Sequence, residues 1–227
     1  MTLAARYEEV RARVANAAAR AGRDPSEITL VAVSKTWPVD VLAEAADAGV
    51  AVFGENRAQE LKEKHAVLGA RVRWHFVGPL QSNKVRAVVG VAELVHSVDR
   101  YGLGEAIARR ARAVGIVQDV LVEVNVGGEA TKHGVEPAGA ARLAEEVAAL
   151  DGVAVRGLMA IPPPAADPEG TRPYFRDLAA LRDLVAGSVP GVRELSMGMS
   201  ADFEQAIEEG ATIVRVGEAI FGPRRAR

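Results

Sequence analysis

Lys35 is the first residue of the chain whose type and place could do covalent chemistry. It follows Ile28–Ser34, a continuous apolar and β-branched run bounded by Pro25 and Pro38, which is too short for a helix and reads as a buried strand. Two readings of the lysine stand side by side. Lysine is seldom buried, so Lys35 can simply mark where the strand reaches water. Alternatively the amine is desolvated, with a lowered pKa, and suited to condense with an aldehyde. Two later stretches carry groups of another kind. Leu195–Asp202 reads as a strand turning through Gly198 into a helix N-capped by Ser200, whose hydroxyl and free N–H groups face an anion well. Val214–Ile220 places Arg215 on a strand, then Gly217, which lets a ligand approach the backbone, then a short helix from Glu218 with a second set of N–H donors. Serine caps many helices without binding anything. It is the two loops together that point to a phosphate.

Other chemistries find no support. No serine comes with an obvious histidine and carboxylate partner, and His65, His75, His96 and His133 show no metal-ligand spacing. His75, between Trp74 and Phe76, equally suits a packed aromatic layer holding one satisfied imidazole. The chain has 227 residues, 49% hydrophobic and 26% charged, with formal net charge −2 and no cysteine. That is the profile of a globular protein able to bury a full core, with no reason to expect nucleic acid or an anionic membrane as partner. Thiol nucleophiles, disulfides and cysteine-bound metal are excluded. The N-terminal residues are charged within their first turns and do not read as a signal peptide, and no window reaches the about 18 apolar residues of a membrane helix. A cytoplasmic location is expected.

Positioning these residues requires a regular frame, and the pattern supplies one. Leu3, Tyr7, Val10, Val14 and Ala18 mark an amphipathic helix over residues 3–21. From Ile28–Ser34 onward, strands at Val50–Gly54, Val72–Val77, Leu94–Val98, Val117–Val126, Val153–Met159, Val192–Met197 and Thr212–Val216 alternate with helices. Those helices are read at Val39–Ala48, Asn56–Leu68, Gln81–Val89, from an Asp99 N-cap to Gly115, at Pro137–Leu150, Arg172–Ala186 and Ala201–Glu209. Such alternation, with little hairpin chemistry, indicates parallel pairing through right-handed crossovers. Eight strands close a barrel. An open doubly wound sheet is the alternative, but Ser34-Lys35-Thr36-Trp37 stands where its glycine-rich phosphate loop belongs. The expected fold is therefore a single (β/α)8 domain over residues 1–227, with the N-terminal helix completing the outer ring and the proline-rich loop 161–170 at the rim. Strand ends then collect Lys35, Glu55, Asn56, His75, His96, Ser97, Asn125, Met159, Ser196–Ser200 and Arg215 on one face, with His96 and Ser97 expected to meet water.

An amine after strand one, a phosphate cradle after strands seven and eight, and an arginine inside the mouth are the parts of a pyridoxal phosphate site. Val33-Ser34-Lys35, Phe53–Glu60, Trp74–Lys84, Ser196–Asp202 and Val214–Gly222 resemble, in order and over essentially the whole chain, the YggS/PROSC-type pyridoxal phosphate homeostasis proteins. The resemblance implies a fold similar to the barrel domain of alanine racemase, without that enzyme's β-rich second domain. It implies that Lys35 is the Schiff-base lysine, that Arg215 faces the pyridine nitrogen, and that Ser200 with the backbone at Gly217 and Glu218 holds the phosphate. Asn56 would lie near the ring, and the segment 125–134 keeps the family's Lys-x-Gly at Lys132–Gly134. The implied function is to hold pyridoxal phosphate and buffer or deliver it, with apo-enzymes as recipients and a monomer as the working form. The alternative is a racemase-type enzyme. Against it, a cationic arginine leaves the ring nitrogen unprotonated and weakens the electron sink, and Tyr7, Tyr101 and Tyr174 lie on no strand end, so only Lys35 is evident as a base.

Overall fold

The computed structural model describes residues 1–129 and 131–223; Ala130 of the segment 125–134 and residues 224–227 of the expected domain lie outside them. The chain opens with α1, Leu3–Arg20, whose N-cap Thr2 accepts a hydrogen bond from the Ala5 N–H and whose apolar stripe buries Leu3, Tyr7, Val10 and Val14. Strand and helix then alternate: β1 Thr29–Val33, α2 Val39–Asp47, β2 Val52–Glu55, α3 Ala58–Leu68, β3 Arg73–Phe76, α4 Val85–Val88, β4 Leu94–Val98 and α5 Tyr101–Ala113. The second half repeats the unit with β5 Gln118–Val124, α6 Pro137–Ala148, β6 Val153–Ala160, α7 Arg172–Ala186, β7 Glu194–Ser196, α8 Phe203–Glu208, β8 Ile213–Val216 and α9 Glu218–Phe221. All neighbouring strands are parallel, and β8 pairs with β1, so the sheet closes into the eight-stranded barrel. The α/β barrel reading holds.

Strand alternation sorts side chains to two cores. One face packs the helices against the sheet. The other fills the barrel with Val31, Val52, Val77, Leu94, Leu121, Met159 and Ile213. Counting by twos from these places His75, His96, Glu123 and Arg215 inside the barrel as well, all buried. The interior thus holds buried polar side chains beside its apolar ones. Helix α1 packs against α8 and α9 and touches α2, and Arg13 and Arg20 pair with Glu204 at 2.9 Å and Glu208 at 2.7 Å. It fills the gap that the four-residue α9 leaves in the outer ring, as expected.

Local details differ from the sequence reading. The segment expected to be helical over Gln81–Val89 is a 3-10 turn, Ser82–Lys84, running into the short α4. Helix α3 starts at Ala58, with Arg57 still extended at φ −124°. The reason is packing: a Cβ at Gly78 would stand 2.5 Å from the Asn56 carbonyl oxygen, so the two loops are in backbone contact and Asn56 stays at the mouth. Asp99 does not cap α5; the cap residue is Arg100, whose guanidinium donates to the Asp99 carboxylate at 2.6 Å. Ser200 likewise does not cap α8, whose cap residue is Asp202. Among the described residues no helix is long and apolar enough to cross a membrane.

Candidate functional site

A cavity of about 280 Å³ opens at the C-terminal mouth of the barrel, and Lys35, Asn56, Ser200, Arg215, Gly217 and Glu218 all line it. Val33, Val77, Trp37, Ile161 and Met199 supply its apolar walls. Ile161 is the first residue of the proline-rich loop, which therefore stands at the rim.

Lys35 sits two residues beyond β1, half-buried, where the chain turns from the barrel into α2. Its neighbours on both sides are tied down. The buried Lys64 ammonium donates to the Ser34 carbonyl at 2.9 Å, to Glu55 Oε1 at 2.6 Å and to Glu60 Oε2 at 3.1 Å. The Ser34 hydroxyl donates to the same Glu55 oxygen at 2.6 Å, and the Thr36 N–H donates to Glu60 Oε2 at 2.8 Å. Thr36 adopts φ +70°, a left-handed conformation that a β-branched residue keeps only when its surroundings over-determine it. This clamp fixes where the Lys35 side chain leaves the backbone. Glu55, read as an active-face residue, points away from the cavity into this buried pair. Burial raises its pKa, with Lys64 and the Ser34 hydroxyl opposing. Lys64 was not singled out in the sequence; the signal available was Glu60 and Lys64 at the i,i+4 spacing directly after the strand that ends on Glu55.

Arg215 is 4% exposed and forms the inner wall of the cavity. Its Nη1 donates to Ser196 Oγ at 2.6 Å and its Nη2 to the Ala160 carbonyl at 2.9 Å. Among the described residues no carboxylate touches it. Burial pushes its pKa down to about 10, while the charges of Glu123 and Asp202, acting at a distance, hold it up, so it remains a cation at neutral pH. A buried cation without a contact anion is costly, and its remaining N–H donors call for an acceptor on the cavity side. Asn56 supplies the complementary sign of incompleteness: its Oδ1 is buried with no hydrogen-bond partner.

The two loops expected to form a phosphate cradle meet at the cavity, with hydrogen bonds that differ from the expected ones. Ser200 Oγ accepts a hydrogen bond from the Ala219 N–H at 3.3 Å, so it caps α9 instead of the helix that follows it. Asp202 closes its own loop by accepting from the Met199 N–H at 2.7 Å. A Cβ at Gly217 would stand 3.1 Å from the Val33 carbonyl oxygen, which explains glycine where β8 leaves the barrel beside β1. Helix α9 begins at Glu218; its Ile220 and Phe221 N–H groups donate to the Gly217 carbonyl at 3.0 and 2.9 Å, and with Ala219 taken by Ser200 the Glu218 N–H is left at the cavity edge.

Beneath Arg215 the expectation that His96 and Ser97 meet water fails: they are 0% and 1% exposed. The register points His96 into the barrel, where it bonds Ser196 at 2.8 Å and His75 at 3.0 Å. Burial keeps both imidazoles neutral, with the His75 pKa lowered to about 3. Glu123, unremarked in the sequence, is 7% exposed; burial and the charge of Asp99 raise its pKa to about 7 against the pull of Arg215. Only the barrel register, which puts a strand-five carboxyl inside, could have found it.

The fold is an α/β barrel that brings the lysine after its first strand and the loops after its last two strands to one cavity. The family described as alanine racemase, N-terminal domain, matches residues 6–225. A protein of Aquifex aeolicus named pyridoxal phosphate homeostasis protein is 48% identical over 227 residues, covering 99% of this chain and 100% of its own. One of the same name from Pseudomonas aeruginosa is 45% identical over 224 residues, covering 98% of this chain and 96% of its own. The structure of PipY of Synechococcus elongatus, with PLP bound, superposes with a TM-score of 0.84 at 33% identity, covering 97% of this chain and all of that one. The chain belongs to the pyridoxal phosphate homeostasis protein family.

The buried titratable groups set a pH dependence whose sign follows from their directions. Glu123 keeps its proton in the fold up to about pH 7, whereas unfolded glutamate loses it near 4.5. Its contribution to stability is therefore lost as pH rises from about 4.5 to about 7. His75 and His96 act oppositely, because the unfolded chain takes up their protons below about pH 6.5 and the fold does not. Glu55 and Asp202, whose pKa values burial also raises, act in the same sense as Glu123, so substitution is what isolates the Glu123 part. Glu123→Gln should stabilise at pH 8 by on the order of 1–3 kcal/mol and hardly at all near pH 4.5. Urea unfolding at both pH values checks this; an equal effect at the two would show that Glu123 does not hold a proton in the fold.

Proposed function

We propose that this protein binds pyridoxal 5'-phosphate reversibly, attached covalently to Lys35 Nζ, and buffers or delivers it to recipient apo-enzymes, without itself transforming amino acids. The observation that carries this reading is the convergence of an amine, a buried cation with no contact carboxylate, an orphaned amide oxygen and a helix-start cradle on one cavity. In it, Ser200 and the backbone at Gly217 and Glu218 receive the phosphate, Arg215 directs an N–H at the ring nitrogen, and Asn56 meets the ring's edge. When bound, the cofactor supplies an aldehyde that condenses with amines and a ring that withdraws electrons from the attached carbon. Arg215 limits the second property, because a cation there disfavours a protonated ring nitrogen. Racemisation also needs a base on each face of a substrate. Among the described residues lining the cavity there is no tyrosine or histidine, and the one carboxylate, Glu218, is exposed at the rim. A monomer, folded as one domain over residues 1–227 and acting in the cytoplasm, completes the proposal; the net charge of −2 supports a partner that is neither nucleic acid nor membrane.

Borohydride reduction of the loaded protein followed by peptide mass mapping should place the pyridoxyl adduct on Lys35. An adduct mainly on Lys84 or Lys132 would overturn the assignment.

Ser200→Ala should weaken pyridoxal phosphate binding roughly ten- to a hundredfold, the worth of one charge-assisted hydrogen bond. Pyridoxal without its phosphate should lose little further, and equal losses for both ligands would mean that Ser200 acts on folding.

In deuterium oxide the loaded wild type should leave the α-proton of alanine essentially unexchanged by proton NMR. Rapid exchange with appearance of the other enantiomer would replace the delivery reading with the racemase one.

A further inference from the structure

We propose that Ser196, His96 and His75 are positioning residues, a one-way hydrogen-bonded chain that holds the Arg215 guanidinium beneath the cavity and locks both imidazoles as neutral Nε2–H tautomers. The argument starts from donor counting. Arginine can only donate, so Ser196 Oγ accepts from Arg215 Nη1 at 2.6 Å. Ser196 is 0% exposed, and its hydroxyl has one other partner among the described residues, His96 Nδ1 at 2.8 Å. If His96 donated there, the serine proton would be buried with no acceptor, which is the costly alternative. His96 Nδ1 therefore accepts. Its proton, with the ring neutral, sits on Nε2 and points at His75 Nδ1, 3.0 Å away. His75 Nδ1 accepts in turn, and its own proton is on Nε2, on the residue that lines a cavity of about 540 Å³ at the opposite, N-terminal end of the barrel.

The direction of every bond is thus set by the arginine. Reversing any link leaves either two buried donors facing each other or a lone pair facing a lone pair, so the chain has a single satisfied arrangement. Arg215 stands at one end of it, and at the other His75 shares its cavity with Arg73, Arg156, Arg193, Glu93, Asp119 and Glu194. Arg73 acts on His75 and Arg215 on His96 to oppose protonation, in line with the downward shift that burial imposes on both. With Nη2 fixed on the Ala160 carbonyl, the chain leaves the guanidinium no freedom to rotate away from the cavity. The inference deepens the proposed function, since it takes the occupant to be pyridoxal phosphate, but the lock itself belongs to the chain without cofactor.

Its test uses the full-length protein labelled with 15N in histidine and arginine, first without cofactor. Long-range 1H–15N spectra from about pH 5 to about pH 8 should show two imidazoles as unchanging Nε2–H tautomers, assigned by His75→Gln and His96→Gln. A buried ring in the Nδ1–H form, or titrating in that range, would overturn the proposal whether or not cofactor binds. The Arg215 Nη signals should be resolved by slow rotation in the wild type and averaged in Ser196→Ala; averaging in the wild type would also overturn it. With pyridoxal phosphate added, Ser196→Ala should bind about tenfold more weakly and shift the pH midpoint of the bound cofactor's absorbance, and Ser196→Thr, which keeps the hydroxyl, should restore both. Normal tautomers and rotation with no cofactor binding to the wild type would refute the functional reading and leave the lock standing. Normal tautomers with affinity and midpoint unmoved in Ser196→Ala would refute the positioning role.

Discussion

A guanidinium buried at the floor of a barrel mouth without a carboxylate in contact is an unusual burden for a fold, and much of the surrounding structure follows from it. Arg215 is held through neutral acceptors, a serine hydroxyl and a backbone carbonyl, which satisfy donors but leave its charge uncancelled. A carboxylate placed against it would compensate the charge internally and remove the reason for the cavity to take an electron-rich ligand atom. Glu123 and Asp202 act only from a distance, and Glu123 is itself driven toward its neutral form by burial. The site keeps an uncompensated positive charge at the cavity floor.

The second feature of the fold is one amine lining the same cavity. A lysine side chain has about 2 kcal/mol of rotamer entropy, and a loose backbone would add to the freedom lost when its place is fixed. Here the residues before and after Lys35 are bound to α3 through Lys64 and Glu60 and to the end of β2 through Glu55. Breaking such a buried pair by removing one partner is far more costly than the pair is stabilising, since it leaves an uncompensated charge in the interior. The clamp is therefore a device for geometry more than for stability. The same holds for the contact of Gly78 with Asn56, which keeps Asn56 out of α3 and in the mouth.

Polar groups thus occupy the barrel in three tiers: charged residues at the N-terminal opening, neutral histidines in the lower interior, and the cation with its cradle at the C-terminal mouth. The bonds from Arg215 through Ser196 and His96 to His75 join these tiers, and apolar Val31, Leu94, Leu121 and Ile213 fill the barrel beside them and supply packing that offsets desolvation.

How much of this was legible beforehand depends on the range of the interactions. The strands are local runs of apolar and β-branched residues, and their alternation with helices constrains topology through handedness, so the (β/α)8 barrel, the face carrying the site and the six cavity residues could be read along the chain. Lys35, Arg215 and Gly217 announce themselves because each departs from its strand's pattern at its end. What the tertiary structure alone decided is which helix Ser200 caps, that Glu55 turns outward to Lys64, that His96 is interior, and that Glu123 is buried where the charge of Arg215 reaches it. Each depends on the register of strands far apart in sequence, and a slip of one residue reverses which face a side chain takes. Hydrogen-bond partners and pKa shifts follow from that register, because burial and neighbouring charge are properties of the closed barrel and not of the residue.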